Sequence, residues 1–277
     1  MKDAYRYRTI ETQKGLRGLA ASAWEKYQGW IAAGLVGIFT AFIAFLVDHA
    51  ESWLGDLKIG YCKSNVFYGR ERCCFPKEEC GNWVRWSEPG SRGAFSFYTI
   101  AAIALALAAG LVTKLTRTEV PAFASSDAHH HHHHGHGHSS HISHDERPKK
   151  RVLYMAAGSG IPEIKLLLSG FEFPNLLSFR VLCVKAVGAS LAVGSGLVMG
   201  KEGPFVHIST SAGYIVSGLF PQYRQNGRKL REMLSVSCSS ALAVAFGSPV
   251  GGVLFVYEAS SPVSFSKPRP NIETGNE

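Results

Sequence analysis

Gly200-Lys201-Glu202-Gly203-Pro204 places two adjacent charges inside one of the most apolar regions of the chain. Upstream, residues 186–200 carry no charge, and downstream, residues 204–223 carry none apart from the titratable His207. A Lys or Glu at bilayer depth costs ~2.5–3.5 kcal/mol on insertion scales, so a charged pair in such a setting points to function. Pro at a first helical position loses no useful hydrogen bond and brings helical φ with it, so a helix is predicted to start at Pro204. A helix that begins within the membrane presents unpaired N–H groups and about half a positive charge to whatever precedes it, which suits an anion. The plainer alternative is a water-exposed turn between two ordinary spans, with Lys201 and Glu202 among the headgroups.

A second stretch weakens that alternative. Gly158-Ser159-Gly160-Ile161-Pro162-Glu163 is again a small-residue turn with Pro at the start of an apolar run, Ile164 to Leu168. The Ser159 hydroxyl and the N–H groups of residues 158–160 are free donors there. Two soluble-enzyme readings fail on spacing. Ser195 stands where a phosphate-binding loop needs its first Gly and Glu202 where it needs Ser or Thr. Glu163 stands where a dinucleotide fingerprint needs its third Gly.

Taken together, Gly158-Ser159-Gly160-Ile161-Pro162 and Gly200-Lys201-Glu202-Gly203-Pro204 resemble the first two signature motifs of the CLC family of chloride channels and chloride/proton exchangers. The likeness runs from Trp30 to Glu258, and Gly60-Tyr61-Cys62 with Cys73-Cys74 looks like the intracellular-organelle branch of eukaryotic members. The resemblance implies an all-α membrane protein: a multi-span helical bundle with broken, half-spanning helices, of which this chain would hold the first inverted repeat only, as a truncated product. It also implies a homodimer in membrane lipid, chloride as substrate with protons as an exchanged ion, and no cofactor, enzymatic activity or nucleic-acid partner. Golgi, endosome or vacuole is the implied location, with the N-terminus cytosolic.

By the same resemblance Glu202 is the gating glutamate, whose carboxylate competes with chloride and swings away when protonated. Ser159 would donate to the central anion. Gly158, Gly160, Ile161, Gly200, Gly203 and Pro204 would line the path, and Lys201 would raise the local anion concentration. Exchangers of the family end the Gly-Val-Leu-Phe segment with two glutamates, the second passing protons, whereas here Glu258 is followed by Ala259. Glu258 is therefore the candidate for a proton path, and channel behaviour is the alternative. A non-transporting fragment that associates with full-length partners is a further reading, because residues 260–277 hold three prolines and no apolar run.

Hydropathy fits this class. The chain is 46% hydrophobic with 29 glycines, and residues 29–47, 93–113 and 233–257 are uncharged, while a span needs ~20 apolar residues. A net charge of +8 would suggest nucleic acid in a soluble protein, but the bases flank membrane segments: Lys2, Arg6, Arg8, Lys14, Arg17 and Lys26, then Arg147, Lys149, Lys150 and Arg151. The positive-inside rule puts both groups in the cytosol.

Domain boundaries follow: a cytosolic segment 1–28, two spans over 29–117 around a cysteine-rich loop 48–92, a histidine-rich cytosolic loop 118–151, the region of the two motifs 152–259, and a polar tail 260–277. Four of six cysteines, Cys62, Cys73, Cys74 and Cys80, lie in the first loop; they suggest disulfides on an oxidising, lumenal side, with three pairings open. Zinc is the rival, without CxxC spacing to support it. Residues 118–148 hold ten of the twelve histidines and cannot bury a core. His129, His130, His131, His132, His133 and His134 are the candidate metal ligands, and a metal-binding membrane protein acting through them is a third functional class.

Overall fold

The computed structural model describes residues 16–75, 81–86, 91–121, 150–171 and 173–260. A helix α1, Leu16–Ile59, opens the chain. The expected boundaries at residue 28, between cytosolic segment and span, and at residue 48, between span and loop, both fall inside this one element. No Pro interrupts the segment, each glycine costs only about 1 kcal/mol, and Asp48, His49 and Glu51 carry charge without breaking helical hydrogen bonds. At ~1.5 Å per residue α1 is about 66 Å long, twice a ~30 Å hydrocarbon core, so it projects beyond the membrane.

A small cap follows. Strands β1 (Gly60–Cys62) and β2 (Trp83–Arg85) pair antiparallel with Tyr61 opposite Val84, and the short helix α2 (Arg70–Cys74) lies between them. Cys62 is bonded to Cys73; Cys74 is also in a disulfide, and Cys80 lies outside the described residues. Replacing Cys62 and Cys73 by Ser is expected to cost the cap ~2–3 kcal/mol, the entropy of a loop of this length. Thermal unfolding with and without reductant checks it, the Ser variant losing the reductant response of that bond.

Helix α3, Ser91–Lys114, is apolar outward: Phe95, Ile100, Leu107 and Leu111 are each at least 61% exposed. Such a face is stable against hydrocarbon and not against water. Strands β3 (Arg117–Pro121) and β4 (Lys150–Tyr154) then pair antiparallel with Glu119 opposite Val152. Residues 118–121, expected to belong to the histidine loop, are thus strand, as the β-branched Thr118 and Val120 favour. Residues 122–149, with the histidine run, lie outside the described residues.

The remaining helices are α4 (Ile161–Leu168), α5 (Phe179–Gly194), α6 (Glu202–Ser217), α7 (Pro221–Arg224), α8 (Gly227–Phe246) and α9 (Pro249–Ser260). The 8-residue α4 and the 16-residue α5 and α6 are about 12 and 24 Å long, too short for a ~30 Å core. The expected bundle of broken helices is therefore present, with two small hairpins added.

Helix α6 is the centre of the bundle, packed on α1, α5 and α8, and every residue from Phe205 to Gly213 is buried. Hydroxyls join these helices: Thr40 and Ser209 are 2.9 Å apart, and Ser209 donates to the Ser237 carbonyl at 2.7 Å. Small residues and interhelical hydroxyl bonds are what helix packing in lipid favours.

Candidate functional site: two uncapped helix starts

Three of the longer helices in the second half begin with a side-chain cap. Ser178 accepts from Val181 N on α5, Asn226 from Arg228 and Lys229 on α8, and Ser248 from Gly251 N on α9. Helices α4 and α6 differ. Their N-caps, Gly160 and Lys201, make no side-chain cap bond, although Ile161 N at the head of α4 donates to the Ser159 hydroxyl. The two helices that start at the sequence motifs thus lack the N-cap bond that α5, α8 and α9 have, as does the one-turn α7.

The sequence also shapes the turn ahead of α4. Gly158 and Gly160 have φ of +67° and +85°, the left-handed region that glycine adopts without strain. They present Ser159 between them; its oxygen is 3.5 Å from Ile161 N, which donates to it, so the hydroxyl hydrogen is free for another acceptor. The turn is anchored at Thr116, whose hydroxyl accepts from Ala156 N at 3.1 Å. Helix α6 closes underneath it. His207 is buried and lies 3.0 Å from the Leu176 carbonyl through Nε2, and a Cβ at Gly160 would lie 2.6 Å from His207 Nδ1. Gly160→Ala therefore meets both strained backbone and a buried ring, and is expected to cost ~2–4 kcal/mol. A lowered thermal midpoint at unchanged helix content checks it.

The two motifs touch. A Cβ on Gly203 would collide with Ser159 Oγ, so only glycine lets the start of α6 close on the Ser159 turn. Helix α6 starts at Glu202 rather than at Pro204, which falls at its third position, where an N–H is likewise not needed. The Glu202 carboxylate turns back over the break, into the space a Cβ on Gly200 would take. It makes no ion pair among the described residues.

Lys201, expected to raise the local anion concentration, is paired with acids of another helix. Its ammonium lies 2.9 Å from Asp48 and 3.2 Å from Glu51, two acids on neighbouring turns of α1. The clamp ties the break to α1. Glu258 is also engaged, 3.0 Å from Lys165 on α4, and its side chain is 73% exposed. Ala259 beside it is buried. Among the described residues no three His, Cys, Asp or Glu side chains gather as a metal site.

Beside the contact of the two motifs lies a cavity of about 690 Å³ bounded by α3, α5 and the loops that carry the motifs, with Gly158, Ser159, Gly200 and Pro204 in its wall. Lys185 of α5, which the sequence reading passed over, also lines it and is 3% exposed. Its signal was present: Lys185, Gly188, Ala189 and Ala192 fall on one helical face, a lone charge above a stripe of small residues.

Comparison with known proteins agrees with this geometry. The sequence profile described as voltage gated chloride channel matches residues 149–269, past Glu258 and into the tail. The H(+)/Cl(-) exchange transporter 3 of Homo sapiens is 34% identical over 94% of this chain, and the H(+)/Cl(-) exchange transporter 5 of Sus scrofa is 32% identical over the same share. The chain spans 30% of the length of each. Among solved structures, the crystal structure of a eukaryotic CLC transporter superposes with a TM-score of 0.54 at 24% identity, over 83% of this chain and 33% of that one, a likeness of fold. Two motifs in contact, an α6-centred bundle of half-length helices and this kinship lead to one conclusion: the chain belongs to the voltage gated chloride channel, or CLC, family.

Proposed function

We propose that this chain provides one wall of a chloride pathway across an intracellular membrane, within a CLC-type transport protein gated by Glu202. The meeting of two uncapped helix starts at Ser159 and Gly203 carries the reading, because it gathers N–H groups and a free hydroxyl at one point. Chloride is the favoured substrate because the relatives are named H(+)/Cl(-) exchange transporters. Ser159 donates to the anion, the amides of Gly158, Gly160, Ile161, Gly200 and Gly203 line its path with Pro204, and Glu202 competes for the same space from the start of α6. Lys201 acts as a positioning residue, holding the break against α1 through Asp48 and Glu51.

Ser159→Ala is the direct test. In an assembly that transports, the loss of one hydrogen bond is expected to weaken chloride binding by ~1 kcal/mol, roughly fivefold, measured as the chloride concentration at half-maximal flux. An unchanged value removes Ser159 from the site. A second reading, anion flow without proton exchange, is favoured by buried Ala259 where an exchanger has its second glutamate, and by Glu258 being tied to Lys165. Simultaneous chloride and proton flux separates the two.

A further inference from the structure

Large rings near the start of α1 are left outside the packing. Trp24, Tyr27 and Trp30 are 55%, 63% and 80% exposed, and the apolar window of α1 begins at Tyr27. Amphipathic rings at the end of a span belong at the level of the lipid headgroups. At the same end of the bundle, the segment from α7 into α8 carries Arg224, Arg228, Lys229 and Arg231 against a single acid, Glu232.

Between these two features runs a groove of about 360 Å³, formed by α1, α7 and α8. Gly29 and Ala33 line it from α1 at i and i+4, too small to fill it, and Trp30 stands at its edge. From α8 come Lys229, Met233 and Val236, which at i, i+4 and i+7 share one helical face. The lining therefore passes from charged to apolar over about two turns, ~10 Å along α8. Val236, at the apolar end, is half-exposed. A phospholipid passes from charged to apolar in the same order over a similar length.

Charge selects the headgroup. Glu232 also lines the groove, but its carboxylate lies 3.5 Å from Arg228, which offsets its charge. Lys229 is half-buried and forms no ion pair among the described residues. Its backbone N–H donates to the Asn226 side chain, which fixes the start of α8 at the mouth of the groove. One unmatched positive charge is thus held at the level of the aromatic rings, above an apolar slot.

We propose that this groove is a binding site for an acidic phospholipid, with the lipid phosphate on the Lys229 ammonium and the upper part of an acyl chain against Ala33, Met233 and Val236. Occupancy ties α1 to α8 where both helices leave the hydrocarbon. The inference goes beyond the anion pathway and does not depend on it, since no residue of the groove belongs to either motif.

Thermal unfolding of the 277-residue chain in neutral detergent micelles, doped with increasing mole fractions of phosphatidylinositol, tests it. A ligand of the folded state raises the midpoint progressively with its concentration. Phosphatidylinositol is expected to do so, whereas phosphatidylcholine and soluble inositol 1-phosphate are not. Lys229→Gln should raise the half-maximal mole fraction roughly fivefold, the worth of one Lys near an anionic surface, and Lys229→Arg should leave it in place. Ala33→Phe, or Val236→Trp from a position exposed enough to tolerate it, should block the slot and abolish the rise with Lys229 intact. Arg180→Gln, which removes an exposed base of α5 outside the groove, should change nothing. An equal rise with phosphatidylcholine, or an equal loss in Arg180→Gln, would mean that no particular groove is involved and would overturn the site. An equal rise with inositol 1-phosphate, or a full response in both slot-filling variants, would remove the acyl chain from it. A midpoint that follows protein concentration and ignores lipid would assign the groove to a second copy of the chain.

Discussion

Glu202→Gln, in an assembly that supplies the rest of the pathway, is expected to make chloride flux flat across external pH. The carboxylate lies over Gly200 at the start of α6, where the helix dipole favours negative charge, and on the gating proposed above it competes there with the transported anion. Protonation removes that attraction. For any single titrating acid the protonated fraction falls roughly tenfold per pH unit above its pKa, so a gate that opens on protonation gives a flux with that limiting slope. Glutamine has the shape of the protonated acid and no titration. The slope should vanish while flux persists, as read by chloride efflux from vesicles over a range of external pH. A slope retained in Glu202→Gln assigns the gate to another residue.

The second large effect concerns the 277-residue chain by itself in liposomes. Chloride efflux is expected to stay at the level of empty vesicles although the chain inserts. Insertion follows from α1 and α3, whose apolar windows are long enough to cross a membrane. The pathway is another matter, because inverted repeats form their site between two halves, and here Ser159, Gly200 and Pro204 lie in the wall of an open cavity. Backbone donors left facing lipid cost several kcal/mol each. The outward apolar faces of α3 and α9, including Ile103, Leu107, Val253 and Leu254, need covering as well. Chloride efflux above background, lost in Ser159→Ala, would show that one wall suffices.

What the sequence made legible was local. A Pro beside small residues at the edge of an uncharged run marked both helix starts, and α4 spans Ile161–Leu168 as the run predicted. Contact between the motifs was out of reach, because it depends on Gly203 having no side chain opposite Ser159, across 44 positions of chain. Lys201 shows the same limit. Its partners Asp48 and Glu51 come from α1, about 150 positions earlier in the chain, which no local pattern reveals. The charge of Asp48 marks a boundary between span and loop in the sequence, whereas helical hydrogen bonding continues through it to Ile59. Lys185 stayed hidden for the opposite reason: one charge in an apolar helix looks like a side chain that reaches the interface, and only packing places it inside.

An anion is proposed to sit where the starts of α4 and α6 meet. Crystals of the chain grown with bromide in place of chloride and measured at the bromine absorption edge test it directly. An anomalous peak is expected within hydrogen-bonding distance of the Ser159 hydroxyl, in the cavity that Lys185 lines. A peak at Lys201 instead, or none in that cavity at saturating bromide, would contradict it.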